Sequence, residues 1–551
     1  MTSISIATRR AQPQLSRVTR LEEQLRRSIS TIELDRNKGD RERIVILGSG
    51  WAGFNLSRKL DKKKYQPVVI SPRPYFAFTP LLASTAVGTL EFRTAIESVR
   101  ARVADTEYYQ GWADDVSFAD QRITVEVNAM MTQSTAPTQT ADEALMPGAN
   151  KGKRFQLDYD KLVVAVGCYS QTFGTPGVRE NAFFLKDVGD ARKIRKRILD
   201  CFEEASLPST PENVKRQLLN FAVVGGGPTG VEFSAELFDL CNDDLRKLYP
   251  SLIKHARISI YDVAPTILSM FDKRLADYAT NHFRRDGITI KTSHHIRDLR
   301  PGLPGTEEED GSSGFTLTTE EDGEVGVGMC VWSTGLMMNP FIQKALNDVH
   351  SYPSASITPP SSTIPTPSTP PESLNWHLAR DPKSGGLLVD SHFRVQLNGS
   401  HPASGTPSPL SHGSDHPASP DLTNNPPSTP PKPATMQNVF ALGDVAVPHS
   451  GPLPATAQVA NQSALWLARR LNAGDVGRGS GFSYKNLGIM TYLGNWKAIM
   501  QTGGNSEVTG FAAWLVWRGA YLTQTISWRN KLLIPIYWLI NWAFGRDIGR
   551  F

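Results

Sequence analysis

The chain has 551 residues, room for three to four domains at about 150 residues each. Its 59 Lys and Arg against 54 Asp and Glu leave a net charge of only +5, with no basic stripe interleaved with aromatics, so nucleic acid is not an expected partner. Four cysteines, Cys168, Cys201, Cys241 and Cys330, lie far apart without a C-x-x-C, and offer no disulfide framework, zinc site or dithiol centre.

In chain order, residues 1–21 carry Arg9, Arg10, Arg17 and Arg20, with no acid before Glu22. That composition predicts a mitochondrial transit peptide within a disordered segment 1–42. Residues 43–47 form a β-branched run into Gly48, the pattern of a buried parallel strand. Gly48, Ser49, Gly50, Trp51, Ala52 and Gly53 follow, and residues 54–60 read as a helix. In this strand–turn–helix setting the first glycine permits the tight turn and the second lets backbone approach a pyrophosphate. The third lets helix and strand pack closely, with the phosphate on the helix N-terminus. The second strand ends at Ser71, where an acid would normally hold the ribose, which leaves Ser71 or Arg73 to substitute. Residues 130–153 read as a surface loop.

A second unit repeats the pattern. Residues 221–224 run into Gly225, Gly226, Gly227, Pro228, Thr229 and Gly230, ahead of Glu232 and a helical stretch 233–240. Its next strand, 258–261, ends at Asp262, whose carboxylate accepts from a free 2′-OH and repels a 2′-phosphate, favouring NADH over NADPH. The long gap from Gly230 to Asp262 predicts a further helix over 243–255. Seven Pro in 351–372 and ten in 398–434 place both stretches outside any core. Between them 385–390 and 393–395 alternate like a short hairpin. No apolar run reaches the roughly 20 residues that span a bilayer. Yet Trp514, Trp517, Trp528, Trp538 and Trp542 crowd the last 42 residues, among Arg518, Arg529, Lys531, Arg546 and Arg550. Such a tail suits interfacial helices in the headgroup plane.

Two dinucleotide units imply hydride transfer from a soluble nicotinamide to a bound flavin. Further motifs stand at 71–82 (S-P-R-P-Y-F-A-F-T-P-L-L), 159–167, 173–177, 332–335, 439–444 and 457–462 (A-Q-V-A-N-Q). With these the sequence resembles the two-dinucleotide flavoprotein reductases, specifically the type II (alternative, rotenone-insensitive) NADH:ubiquinone oxidoreductases of fungal and plant mitochondria. The resemblance covers about residues 43–350 and 435–551.

The resemblance implies an α/β protein with two Rossmann-type domains, for FAD and NAD, of the glutathione-reductase-like fold, plus a C-terminal amphipathic membrane-anchoring module. The expected divisions are 43–215 and 437–484 for FAD, 216–345 for NAD(H), 346–436 for the inserts and 485–551 for the anchor. Non-covalent FAD would contact the first glycine unit, Ser71, Arg73, Thr79, Gly167, Gly443, Asp444 and Ala457. NADH, the co-substrate, would contact the second unit with Asp262, Thr334 and Gly335. Gln458 and Gln462, on one helical face, would meet the quinone with Trp517 and Tyr521. Glu232 is expected near the nicotinamide, assisting orientation or proton movement.

The implied activity is non-electrogenic transfer of two electrons from NADH through FAD to ubiquinone. The implied setting is a homodimer on mitochondrial inner-membrane lipid, with the matrix side favoured. A sulfide:quinone oxidoreductase would need redox cysteines at the flavin and does not use NADH, so the second glycine unit with Asp262 argues against it. A flavoprotein of the apoptosis-inducing-factor type would lack the A-Q-x-A-x-Q helix and the aromatic tail. No metal site is expected, since the inserts hold no D-x-D-x-D-G calcium loop.

Overall fold

The computed structural model describes residues 31–103, 105–127, 153–305, 313–344, 346, 357–358, 375–400, 434–504 and 506–549. The expected transit peptide, apart from its last residues, and most of the loop 130–153 lie outside these. In chain order the elements that build the site are β1 (Glu42–Leu47), α1 (Trp51–Lys59), β2 (Tyr65–Ser71), β3 (Glu107–Ser117) and β4 (Lys161–Val164). They continue with α2 (Val188–Ser206), β5 (Asn220–Val224), α3 (Pro228–Leu240), β6 (Arg257–Asp262) and β7 (Met329–Trp332). The last are β8 (Ala434–Ala441), α4 (Ala457–Ala473), β9 (Ile489–Gly494), β10 (Lys497–Gln501), α5 (Gly510–Gln524) and α6 (Trp528–Phe544).

Two parallel sheets carry the two glycine units. In the first, β8, β4, β1, β2 and β3 lie side by side in parallel. Ile44–Leu47 and all of β2 are buried, as continuous apolar runs covered on both faces require. In the second, Phe183–Phe184, β7, β5, β6 and Thr289–Thr292 are parallel neighbours. The chain passes between the sheets twice, at Cys168–Ser170 and Leu336–Met338, and these crossings pair antiparallel.

Several expectations need correction. The folded part begins before residue 42: Thr31–Arg36 is helical, Leu34 is fully buried, and Gln66 donates to the Leu34 carbonyl at 2.7 Å. The second sheet gains its first strand at Phe183, ahead of the expected boundary at 216. No single helix fills 243–255. Instead α3 runs on through a π-helical turn at Cys241–Leu245 and a short helix Arg246–Leu248, then breaks just before Pro250. The hairpin is present through Val389 opposite Val395, but its second strand extends to Ser400 and joins the first sheet beside β8. Within the first Pro-rich stretch, Ile357–Thr358 adds a short strand to β8.

The C-terminal module is an antiparallel sheet, β9–β10–Glu507–Thr509, with α5 and α6. β9 lies on α3 and β10 on α5, so the module sits directly on the second glycine unit. Glu97, buried, staples it to the first domain by accepting from Ser527 N at 3.1 Å and Asn530 Nδ2 at 2.9 Å. Among the described residues no helix is long and apolar enough to cross a membrane. The tail's tryptophans divide. Trp514 and Trp517 are 5% exposed, whereas Trp528 and Trp542 are 79% and 71% exposed. Two of the basic residues expected to meet lipid are engaged internally. The Arg518 guanidinium lies 4.5 Å from the Trp514 ring centre and 4.3 Å from that of Trp538, and Arg546 pairs with Asp244 at 2.6 Å.

Candidate active site

A cleft of about 690 Å³ opens where both glycine loops, the interdomain crossings and the C-terminal module meet. Gly48 and Gly225 have φ of +106° and +113°, which side-chain-bearing residues rarely adopt. A Cβ on Gly48 would overlap the Ala165 carbonyl, and one on Gly53 or Gly230 would overlap the carbonyl of Gly48 or Gly225, so both helices press onto their own turns. At Gly50 and Gly227, the N-caps of α1 and α3, a Cβ would meet nothing within 4 Å and no side chain caps the helix. Each unit therefore presents uncapped backbone N–H groups to open space, the arrangement that receives a pyrophosphate.

Most of the first-domain residues border one cleft, while Gly53 packs against its own turn. Gly48, Ser49, Gly50, Trp51, Ala52, Ser71, Arg73, Thr79, Gly167, Gly443, Asp444 and Ala457 all line the cleft. Trp51 Nε1 donates to Thr79 Oγ1 at 3.1 Å, and the Ser49 and Ser71 hydroxyls lie 2.9 Å apart. Arg73 Nε sits 2.8 Å from Asp187 Oδ2, while the Tyr75 hydroxyl donates to Asp187 Oδ1 at 2.8 Å. Asp187, fully buried, also caps α2, and sequence reasoning missed it because it lies 114 positions beyond Arg73 (187 − 73). Cys168 donates its thiol to Asp444 Oδ2 at 3.0 Å, and burial pushes that thiol up to about 12. Cys330 is fully buried in β7, and the four cysteines are free. None is placed for dithiol chemistry.

On the second unit Gly227, Pro228, Thr229 and Gly335 line the cleft. Asp262 stands at the end of β6 and secures the loop, accepting from the backbone N–H of Gly226 and, at 2.7 Å, from that of Ala264. Thr334 packs against Gly225: a Cβ added there would lie 3.0 Å from the Thr334 Cβ.

Glu232 lines the cleft and is buried. Its neighbours come from the C-terminal module. Oε1 accepts from Trp517 Nε1 at 3.1 Å, Tyr492 N at 3.2 Å and Thr491 Oγ1 at 3.3 Å, and the Tyr521 side chain is hydrogen-bonded to it as well. Burial raises its carboxyl to about 7, although the donors pull the other way. Tyr521 lines the cleft, whereas Trp517 is buried behind it and donates to Glu232.

The two glutamines do not reach the cleft wall in the expected manner. Gln458 Oε1 accepts from the Tyr484 hydroxyl at 2.8 Å and Leu487 N at 2.9 Å, and its Nε2 donates to Gly488 O at 3.3 Å. Gln462 exchanges hydrogen bonds with the backbone of Lys485 at 2.8 and 3.1 Å. Helical spacing puts them on one face, and segment 484–488 packs on that face. Gln458→Ala is therefore expected to cost about 1–3 kcal/mol of stability by orphaning these groups. It should slow the quinone half-reaction only as far as the segment shifts, and denaturant unfolding beside stopped-flow separation of the halves measures both.

The profile of the pyridine nucleotide-disulphide oxidoreductase family matches residues 42–349, and that of the NDH2 C-terminal domain matches 486–547. A probable NADH dehydrogenase of Dictyostelium discoideum is 32% identical over 516 residues, covering 93% of this chain and 92% of its own. An internal alternative NAD(P)H-ubiquinone oxidoreductase A1, mitochondrial, of Solanum tuberosum is 32% identical over 562 residues, covering 98% and 94%. The solved structure of NDH2 from Plasmodium falciparum in complex with NADH has the same fold, with a TM-score of 0.69, 23% identity, and coverage of 92% of this chain and 100% of that one. The chain thus belongs to the pyridine nucleotide-disulphide oxidoreductase family and, within it, to the alternative NAD(P)H-ubiquinone oxidoreductases.

Proposed function

We propose that the protein oxidises NADH and reduces ubiquinone through non-covalently bound FAD at the mitochondrial inner-membrane surface, without proton pumping. The observation that carries this reading is the convergence of two uncapped dinucleotide loops and the C-terminal module on one cleft. FAD fits the first loop: Gly50 leaves room for a pyrophosphate, and Asp444 offers a carboxylate to the ribityl hydroxyls. When bound, the flavin supplies hydride acceptance from nicotinamide and two-electron donation to quinone. This chain's residues bind, orient and protonate. The loop at Gly225–Gly230 holds NADH, Tyr521 borders the quinone's approach, and Glu232 delivers a proton to a quinone oxygen.

A sulfide:quinone oxidoreductase of Aquifex aeolicus shares the fold, at a TM-score of 0.55 and 14% identity. The engaged Cys168, the buried Cys330 and the complete second glycine unit favour NADH chemistry over sulfide. Purified protein is expected to be yellow with releasable FAD and to couple NADH oxidation to a short-chain quinone. A folded, colourless preparation that takes up no FAD would refute the reading.

Asp262 should set nucleotide preference. Asp262→Asn removes the charge that repels a 2′-phosphate and keeps an acceptor for one of the Gly226 and Ala264 N–H groups, which donate to different carboxylate oxygens. The kcat/KM ratio of NADPH to NADH should rise about tenfold, roughly 1.4 kcal/mol. An unchanged ratio would mean that another group reads the ribose.

A further inference from the structure

The helix that bears Glu232 bears two more buried acids on the same face. Glu236 and Asp239 follow at i+4 and i+7, and the three residues are 7%, 4% and 6% exposed. Among the described residues none of the three has a cation within salt-bridge reach, and their hydrogen-bond donors are uncharged. Glu236 accepts from the hydroxyls of Ser84 and Thr89, each at 2.6 Å. Asp239 accepts from the Tyr492 hydroxyl at 2.6 Å and Asn495 N at 3.1 Å. The cations facing this stripe are otherwise engaged. Arg518 of α5 is held between Trp514 and Trp538, and Arg546 of the tail binds Asp244. Both act on Glu236 and Asp239 through space, and Arg546 Nε also donates at 3.1 Å to Thr89 Oγ1, the hydroxyl that donates to Glu236. From α5 Tyr521 also faces Glu232, the segment with Ser84 and Thr89 contributes hydroxyls, and the π-helical turn contributes Asp243 and Asp244 beside Arg546. Beyond β9, Asn495 leads to Asp286 and His282.

Glu232 and Asp239 share this buried face two helical turns apart without a directly bonded cation, and there each charge costs desolvation and repels its neighbours. We propose that Asp239 forms with Glu232 a shared proton store that feeds the quinone half-reaction, with Tyr492 joining the two. Tyr492 donates its backbone N–H to Glu232 and its hydroxyl to Asp239. Burial likewise raises Asp239 to about 7.

The store answers a requirement of the reaction, so it rests on the function proposed above. NADH delivers two electrons and one proton equivalent as hydride, while quinone needs two protons to become quinol. One proton must come from water: NADH + H⁺ + quinone gives NAD⁺ + quinol. In the proposed step the Glu232 O–H bond breaks as a quinone O–H bond forms. The proton on Asp239 then reloads Glu232, and a solvent proton refills Asp239. Asp239 is a positioning residue, acting through Glu232.

The test uses the full-length, FAD-loaded protein. Infrared spectroscopy at pH 7 should show a protonated-carboxyl C=O band that weakens in Asp239→Asn. Stopped flow should show Asp239→Asn reoxidised by short-chain quinone about tenfold more slowly at pH 8, with the deficit closing near pH 6. Flavin reduction by NADH should keep its rate, and Asp239→Glu should restore the profile. Tyr492→Phe retains the backbone donor to Glu232 but removes the phenol that favours ionised Asp239, so its profile should move to higher pH. That variant keeps the idea testable should Asp239→Asn lose FAD. Profiles and band that superimpose on the wild type in both variants would overturn the proton store. A wild type whose flavin is not reduced by NADH would instead overturn the function.

Discussion

Glu232→Gln is expected to lower quinone-dependent turnover about a hundredfold at pH 7, within the ~10²–10⁴-fold range of general acid–base catalysis. Flavin reduction by NADH should fall far less, because a hydride transfer asks for no proton from the protein. The amide retains an oxygen that can accept from Trp517, Tyr492 and Thr491, so the module should stay docked. Stopped-flow measurement of each half-reaction decides the point. Equal losses in both halves would show that Glu232 orients the nucleotide instead of moving a proton.

The same carboxyl should be visible in folding. Burial raises Glu232 from its ordinary range to about 7, a shift equivalent to roughly 3 kcal/mol. Between about pH 4.5 and 7 the native state then holds a proton that the unfolded chain has lost. Stability therefore decreases as pH rises through that window and levels off above it. Asp239, raised to about 7 as well, adds to the slope. Glu232→Gln should flatten part of this fall in a series of thermal unfolding curves, and an unaltered slope would mean that Glu232 is ionised throughout.

The local parts of this site were legible in the sequence. Glycine spacing after a β-branched run prescribes turn, approach and packing within six residues, and both loops fold that way. Contacts made across long separations were not legible. Spacing put Gln458 and Gln462 on one face but could not say that segment 484–488 covers it. Composition grouped the tail tryptophans as interfacial, yet Trp517 turns inward because α3 offers its indole N–H the buried Glu232 carboxylate and β9 stacks Tyr492 on its ring. One signal was present and went unread. An otherwise apolar helix over 228–240 carries acids at 232, 236 and 239, a spacing that gathers them on one buried face.

Membrane attachment should depend on the outer faces of α5 and α6. Phe511 and Leu515 on one helix and Trp528, Leu532, Ile536 and Leu539 on the other are each about half exposed or more, at spacings of three and four residues. They form an apolar face that no described part of the chain covers. Residues 508–546 contain no acid, so nothing on these helices repels anionic headgroups. Removing 510–551 outright would confound the test, because it also takes Trp517 and Tyr521 from Glu232 and Arg546 from Asp244. The cleaner variant is Leu532→Glu with Leu539→Glu, at side chains 64% and 63% exposed. Each Leu contributes on the order of 1–2 kcal/mol on entering an apolar layer, and the added charge opposes entry. Liposome partitioning should fall at least about a hundredfold, roughly 2.7 kcal/mol. FAD content and turnover with a short-chain quinone should persist, whereas long-tailed ubiquinone in vesicles should go unreduced, since it is confined to lipid. Undiminished flotation with liposomes would show that another surface carries the attachment.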